Sequence, residues 1–194
     1  MPNFPKTLLS TLVACCILTA CQSLPKPHST FTTDLTQDQN APLKFSVTGK
    51  IGVTTVKDGS TQAGSAFYAW GQEEERFAID LTGALGIGAT SIRYNGTTAT
   101  LNSEKTGEIR ADNPEDLLKQ ATGWQAPVSH LPYWIAGRHA TGDKNSEYDP
   151  QNRLTRTENG DWTAHFEYNT NATPSRLRIT HSDGHRVVMT IVAQ

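Results

Sequence analysis

From Leu43 the chain alternates: Leu43, Phe45, Val47, Gly49, Ile51 and Val53 stand at every second position, between mostly polar residues. A period of two turns one side of an extended strand toward an apolar core and the other toward water. The same pattern predicts strands over 63–70 and 77–81, another through Ile92 and Tyr94, and shorter ones over 97–101 and 106–110. Strands resume over 154–157, 162–168, 176–181 and 185–192. Asp58-Gly59, Asn95-Gly96, Asn159-Gly160 and Asp183-Gly184 fall between them. Each pair suits the tight two-residue hairpin, whose central positions need positive φ. Strands joined this way run antiparallel.

The alternation breaks once for helices. Asp112-Asn113-Pro114-Glu115-Asp116 supplies a capping side chain, a proline for the first turn and early carboxylates facing the positive helix end. Leu117, Leu118 and Ala121 form an apolar stripe, and Gly123 is the stop. A second short helix starts near Ser129, carries Leu131, Tyr133, Trp134 and Ile135, and stops at Gly137. Residues 142–152 read as a polar linker, and 82–88 as a glycine-spaced loop without charge. The expected fold is mainly β. An antiparallel curved sheet of about ten strands is expected to close into a barrel or an incomplete, half-open barrel. The short helices should cover one opening, a lid under which an apolar cavity has room to form.

Ahead of the alternating region the pattern differs. Lys6 precedes an apolar run over 8–18 that is shorter than the roughly 20 residues needed to span a bilayer. It fits the core of a secretory signal. The run ends Leu18-Thr19-Ala20-Cys21, which resembles the lipobox of bacterial lipoproteins. That resemblance implies a signal peptide over 1–20, diacylglycerol on the Cys21 thiol and cleavage before Cys21. Gln22 stands where Asp would resemble the inner-membrane retention signal, which favours the outer membrane. Residues 21–42, with Pro25 and Pro27, read as the lipidated cysteine and its tether. Residues 43–194 read as a single domain.

Composition narrows the chemistry. Beyond Cys21 there is no further cysteine, so disulfides cannot hold the domain and a hydrophobic core must. A formal net charge of −2 with no Lys/Arg cluster in the sequence argues against nucleic acid as a partner. His181 and His185 flank a tight turn but lack a third ligand for a metal. Asp143, Asn145, Glu147 and Asp149 alternate like a calcium loop, yet Tyr148 stands where glycine is needed and Leu154 where glutamate is needed. Gly83, Gly86 and Gly88 do not make the dinucleotide fingerprint, and no parallel βαβ unit surrounds them. No nucleophile–base constellation is visible, so neither an enzyme nor a cofactor is indicated.

Several segments together resemble the LolB family of outer-membrane lipoprotein receptors. They are Thr48-Gly49-Lys50-Ile51, Ser65-Ala66-Phe67-Tyr68-Ala69-Trp70 with Gln72, and the stretch from Phe77 ending Leu81-Thr82-Gly83-Ala84-Leu85-Gly86. Glu115-Asp116-Leu117-Leu118 leading to Thr122-Gly123-Trp124, Leu131-Pro132-Tyr133-Trp134-Ile135-Ala136-Gly137, and Pro174-Ser175-Arg176-Leu177 follow in the same order. Two departures are Ala84, where proline is common, and the C-terminus Ile191-Val192-Ala193-Gln194, where many relatives carry tryptophan.

The resemblance implies a monomeric half-barrel that accepts lipoproteins from a LolA-type periplasmic carrier, holds their acyl chains in an apolar cavity and releases them into outer-membrane lipid. It implies that the loop Gly83, Ala84, Leu85, Gly86 and Ile87, with Leu85 at its tip, serves membrane delivery. Phe45, Val47, Phe67, Trp70, Ile79, Ile92, Leu118, Trp134 and Ile135 are the expected cavity-lining positions. Two other readings stand beside this one: a carrier of free lipid or glycolipid, and a structural lipoprotein that binds protein partners through an edge strand.

Overall fold

The computed structural model describes residues 38–84, 89–123 and 126–194. Six strands come first: β1 (Lys44–Lys57), β2 (Ser60–Glu73), β3 (Arg76–Ala84), β4 (Thr90–Tyr94), β5 (Ala99–Ser103) and β6 (Gly107–Ala111). Helices α1 (Pro114–Thr122) and α2 (Leu131–Ile135) follow. Then come β7 (Lys144–Tyr148), β8 (Leu154–Asn159), β9 (Trp162–Tyr168), β10 (Pro174–His181), β11 (Arg186–Thr190) and the short β12 (Val192–Ala193). The expected signal peptide, Cys21 and most of the expected tether lie outside the described residues, as do Leu85, Gly86, Ile87 and Trp124.

The strands form one antiparallel sheet in the order β6-β5-β4-β3-β2-β1-β11-β10-β9-β8-β7, with β12 beside β1. It consists of two meanders sewn together where β1 meets β11. The sheet is not closed: β6 and β7 are its two edges, and the chain between them is the segment that carries α1 and α2. The helices therefore bridge the open side of the half-barrel.

All four dipeptides fall at turns that join neighbouring antiparallel strands. Only the first has positive φ at both positions, 50° at Asp58 and 75° at Gly59; in the other three the glycine alone does. β1 and β2 then pair without interruption from Lys44↔Glu73 to Lys57↔Ser60. Helix α1 is capped as its sequence predicts. The Asn113 side chain accepts from the Asp116 N–H at 2.8 Å, and Gly123 ends the helix at φ 80°.

Three expectations need correction. The sheet has twelve strands rather than about ten. The polar linker over 142–152 contains edge strand β7, whose exposed position removes any need for apolar alternation. Gly83 and Ala84 belong to β3 rather than to the loop, paired with Ala66 and Ser65.

Two clusters fill the covered side of the sheet. The larger runs from Leu43 and Phe45 through Trp70, Phe77 and Ile79 to Phe166, Leu177, Ile179 and Met189, and takes in α2. The smaller joins Ala99 and Leu101 to Leu117 of α1. Among the described residues, both clusters draw on residues from Leu43 onward. Among the described residues, no helix is long and apolar enough to cross a membrane.

Candidate functional site

The apolar face beneath the helices is the feature the fold is built around. On β1, Phe45 and Val47 are fully buried, and on β2 Tyr68 and Trp70 are buried, because alternate positions point the same way. An aromatic row crosses four strands: ring centroids lie 6.4 Å apart for Phe45 and Trp70, 5.6 Å for Trp70 and Phe77, and 5.7 Å for Phe77 and Tyr94. The one polar atom of Trp70 is satisfied on the spot, since its Nε1–H donates to Gln72 Oε1 at 2.9 Å.

Helix α2 lies across this face. Trp134 and Ile135 are both 0% exposed, inside the same cluster as Phe45, Val47, Trp70 and Ile79. Among the described residues, the apolar side chains of the sheet and of α2 pack in one cluster. Trp134 is held by a carboxylate at the far side: its Nε1–H donates to Asp143 Oδ2 at 2.9 Å. Asp143 also accepts from the Ala140 N–H at 3.0 Å and from Asn159 Nδ2 at 2.7 Å. Its side chain is 1% exposed. Such a buried charge is tolerated because several donors surround it. Arg138, just past the lid, is also buried and donates through Nη1 to the Ala41 carbonyl at 2.6 Å.

Of the nine expected cavity-lining positions, six meet in one cluster: Phe45, Val47, Trp70, Ile79, Trp134 and Ile135. Ile92 packs against both clusters from the flank. The other two do not belong. Phe67 is 67% exposed on the outer face, opposite Tyr68 and Trp70 in the pleat. Leu118 is half-buried on α1 and belongs to neither cluster; its neighbour Leu117 is the residue that packs inward. Asp143 and Arg138 have no local signal in the sequence that marks them for this place. In the sequence Asp143 is one member of an alternating polar run with Asn145, Glu147 and Asp149. The members of that run turn to separate partners: Asn145 to Glu158, Glu147 to Arg156, and Asp149 to Arg153. The rings at the 181–185 turn are likewise engaged. His181 Nδ1 accepts from the Asp183 N–H and His185 Nδ1 from the Val56 N–H, both at 3.1 Å.

Gly49 shapes the junction of the two meanders. A Cβ there would stand 1.8 Å from the Thr190 carbonyl oxygen. That oxygen accepts from the Tyr68 hydroxyl at 2.9 Å, while the Thr190 side chain accepts from the Lys50 N–H at 2.9 Å. Burial pushes the Tyr68 phenol well above its ordinary value.

The arrangement defines a class: an open antiparallel sheet with one apolar face beneath a short helical cover. A family described as "Outer membrane lipoprotein LolB" matches residues 43–193, and the chain belongs to it. The outer-membrane lipoprotein LolB of Stutzerimonas stutzeri is 33% identical over 76% of this chain and 71% of its own. That of Pseudomonas paraeruginosa is 31% identical over 90% and 86%. Among solved structures, a LolA superfamily protein from Nitrosomonas europaea superimposes with a TM-score of 0.44 at 11% identity, over 77% of this chain and 84% of that one.

Proposed function

We propose that this protein is an outer-membrane lipoprotein, anchored through lipid on Cys21, that accepts acylated lipoproteins from a LolA-type carrier and passes them to the membrane. The observation that carries the reading is the apolar face under α2. It spans both meanders, and its cover is a five-residue helix at the one side where the sheet is open.

Each acyl methylene in water costs about 0.8 kcal/mol. A triacylated cargo therefore cannot pass through water at a useful rate and needs a continuous apolar route. Helix α2 covers the face, so chains enter by taking the place of Trp134 and Ile135 against Phe45, Val47, Trp70 and Ile79. The apolar contacts that the lid gives up are replaced by contacts with the chains. Transfer then needs no energy source, only a sequence of apolar surfaces that bind about equally well or progressively better. The segment that follows β3, with Leu85, would make the last contact, with the bilayer.

The test uses residues 22–194, purified without lipid, and a LolA–lipoprotein complex with a tagged cargo. The tag is expected to move to this domain, and then to liposomes when they are added. If it stays with the carrier while the domain is folded, the receptor reading fails and the lipid-carrier reading takes its place.

A further inference from the structure

The outer face of the sheet carries a groove of about 370 Å³ that the apolar site does not use. Three arginines line it: Arg176 and Arg178 on β10 and Arg186 on β11. They share a face because 176 and 178 alternate with buried Leu177, and 186 with buried Val187. The floor is low and partly apolar. It is formed where Gly52 pairs with Val188, and a Cβ added at Gly52 would meet nothing within 4 Å. Arg178 lies 3.5 Å from Glu167, both well exposed. Among the described residues, neither Arg176 nor Arg186 has an ion-pair partner. His165, in register with Arg178, is held below its ordinary value by burial and by the charges of Arg156 and Arg178. In a chain with a net charge of −2, this groove is a local excess of positive charge.

Its place in the sheet suggests what it meets. Ala84, the last residue of β3 before the loop, begins a row of paired residues that runs Ser65, Gly52, Val188 and Arg178. At about 4.8 Å per strand, Arg178 lies about 19 Å across the sheet from Ala84. The loop proposed to enter the bilayer therefore springs from the same end of the sheet as the groove. A surface with its apolar loop in the acyl region would bring these guanidinium groups to the level of the headgroups.

We propose that the groove of Arg176, Arg178 and Arg186 binds the phosphodiester of anionic phospholipid headgroups and so seats the domain on the membrane for delivery. The proposal rests on the delivery reading above. Guanidinium groups suit phosphate because they offer paired donors in a plane, and each basic group at a charged bilayer surface strengthens binding about fivefold.

The experiment is co-sedimentation of residues 22–194 with vesicles of phosphatidylcholine alone, or of phosphatidylcholine mixed with phosphatidylglycerol. Binding is expected to be stronger to the mixed vesicles and to weaken with added salt. The triple variant R176Q/R178Q/R186Q should lose on the order of a hundredfold of that preference. The triple lysine variant, which keeps the charge, should retain most of it. Acceptance of cargo from the carrier in solution should be unchanged in both, which separates this inference from the receptor reading. If the wild type accepts no cargo yet shows the arginine-dependent preference, the receptor reading falls and the headgroup site stands. Equal binding to the two vesicle types overturns the proposal, as does a glutamine variant that behaves like the wild type. Loss of cargo acceptance without loss of vesicle binding would assign the groove to the carrier instead. Competition by inorganic phosphate as strong as that by the vesicles would reduce it to a site for a free anion.

Discussion

Gly49 and Thr190 share one place in the sheet: the Thr190 carbonyl oxygen occupies the space where a Cβ on Gly49 would be, 1.8 Å from its ideal position. This is where the last long strand of the second meander meets the first strand of the first. The carbonyl accepts from Tyr68 and the Thr190 hydroxyl from the Lys50 N–H, where the pairing of β1 passes from β12 to β11. Gly49→Ala must push backbone away rather than a flexible side chain. The expected cost is at least about 3 kcal/mol, seen as a fall of about 6–12 °C in Tm for a domain of this size. A variant with unchanged Tm would mean that the junction yields freely.

The same junction sets an alkaline limit. Burial raises the folded-state pKa of Tyr68 above its unfolded value of about 10. A raised folded pKa means that the contribution is complete below the unfolded value and is lost as pH rises from there toward the folded one. Wild-type stability should therefore fall above pH 10, by about 1.4 kcal/mol per pH unit from this phenol. Tyr68→Phe should be less stable than wild type at neutral pH, having lost the bond to Thr190, and should close that gap as pH climbs. Denaturant melts from pH 8 to 11 check the sign; parallel curves for the two proteins would show that the folded phenol titrates where the unfolded one does.

How much of this was legible in the sequence depends on how local each signal is. The hairpin dipeptides, the Asn113 cap and the alternation of β1 needed only near neighbours, and they place most of the sheet. Edge strand β7 reads Lys-Asn-Ser-Glu-Tyr, and no residue in it is fully buried, so its pattern is silent. Phe67 shows a different failure. It stands three positions from Trp70, and a period of two cannot put both on one face, so alternation alone already separated them. Leu117 and Leu118 are adjacent on a helix whose buried side depends on where β5 and β6 lie, which no local pattern reveals. Asp143 is the extreme case: its burial follows from Trp134, Ala140 and Asn159 converging on it.

That convergence predicts how the lid is held. Asp143→Ala leaves the indole N–H of the buried Trp134 without its acceptor, while Asn159 keeps the Thr141 carbonyl. It should cost about 2–4 kcal/mol, and Asp143→Asn less, because an amide keeps one acceptor oxygen. If α2 must leave the apolar face for acyl chains to enter, Asp143→Ala should also bind an apolar fluorescent probe more readily than wild type under native conditions. A destabilised variant that binds no more probe would show that this bond supports the core without restraining the lid.

Delivery is a separate step from acceptance, and one substitution should divide them. Leu85 stands in an uncharged segment, Gly83-Ala84-Leu85-Gly86-Ile87-Gly88, where a connection between strands would ordinarily be polar. It follows the end of β3, well away in sequence from the lid over the apolar face. Burying a leucine side chain in the bilayer contributes about 1.5–3 kcal/mol, whereas a glutamate there would have to shed its hydration or stay outside. Leu85→Glu should therefore take cargo from the carrier about as well as wild type while its transfer to liposomes drops at least about tenfold. Combining it with the glutamine changes at Arg176, Arg178 and Arg186 should add the two losses, because an apolar insertion and a headgroup contact act on different parts of the bilayer. The variant is scored by following a tagged lipoprotein from carrier to domain to vesicle. Delivery that continues unchanged would remove the loop from the mechanism and leave the outer-face groove as the surface to examine.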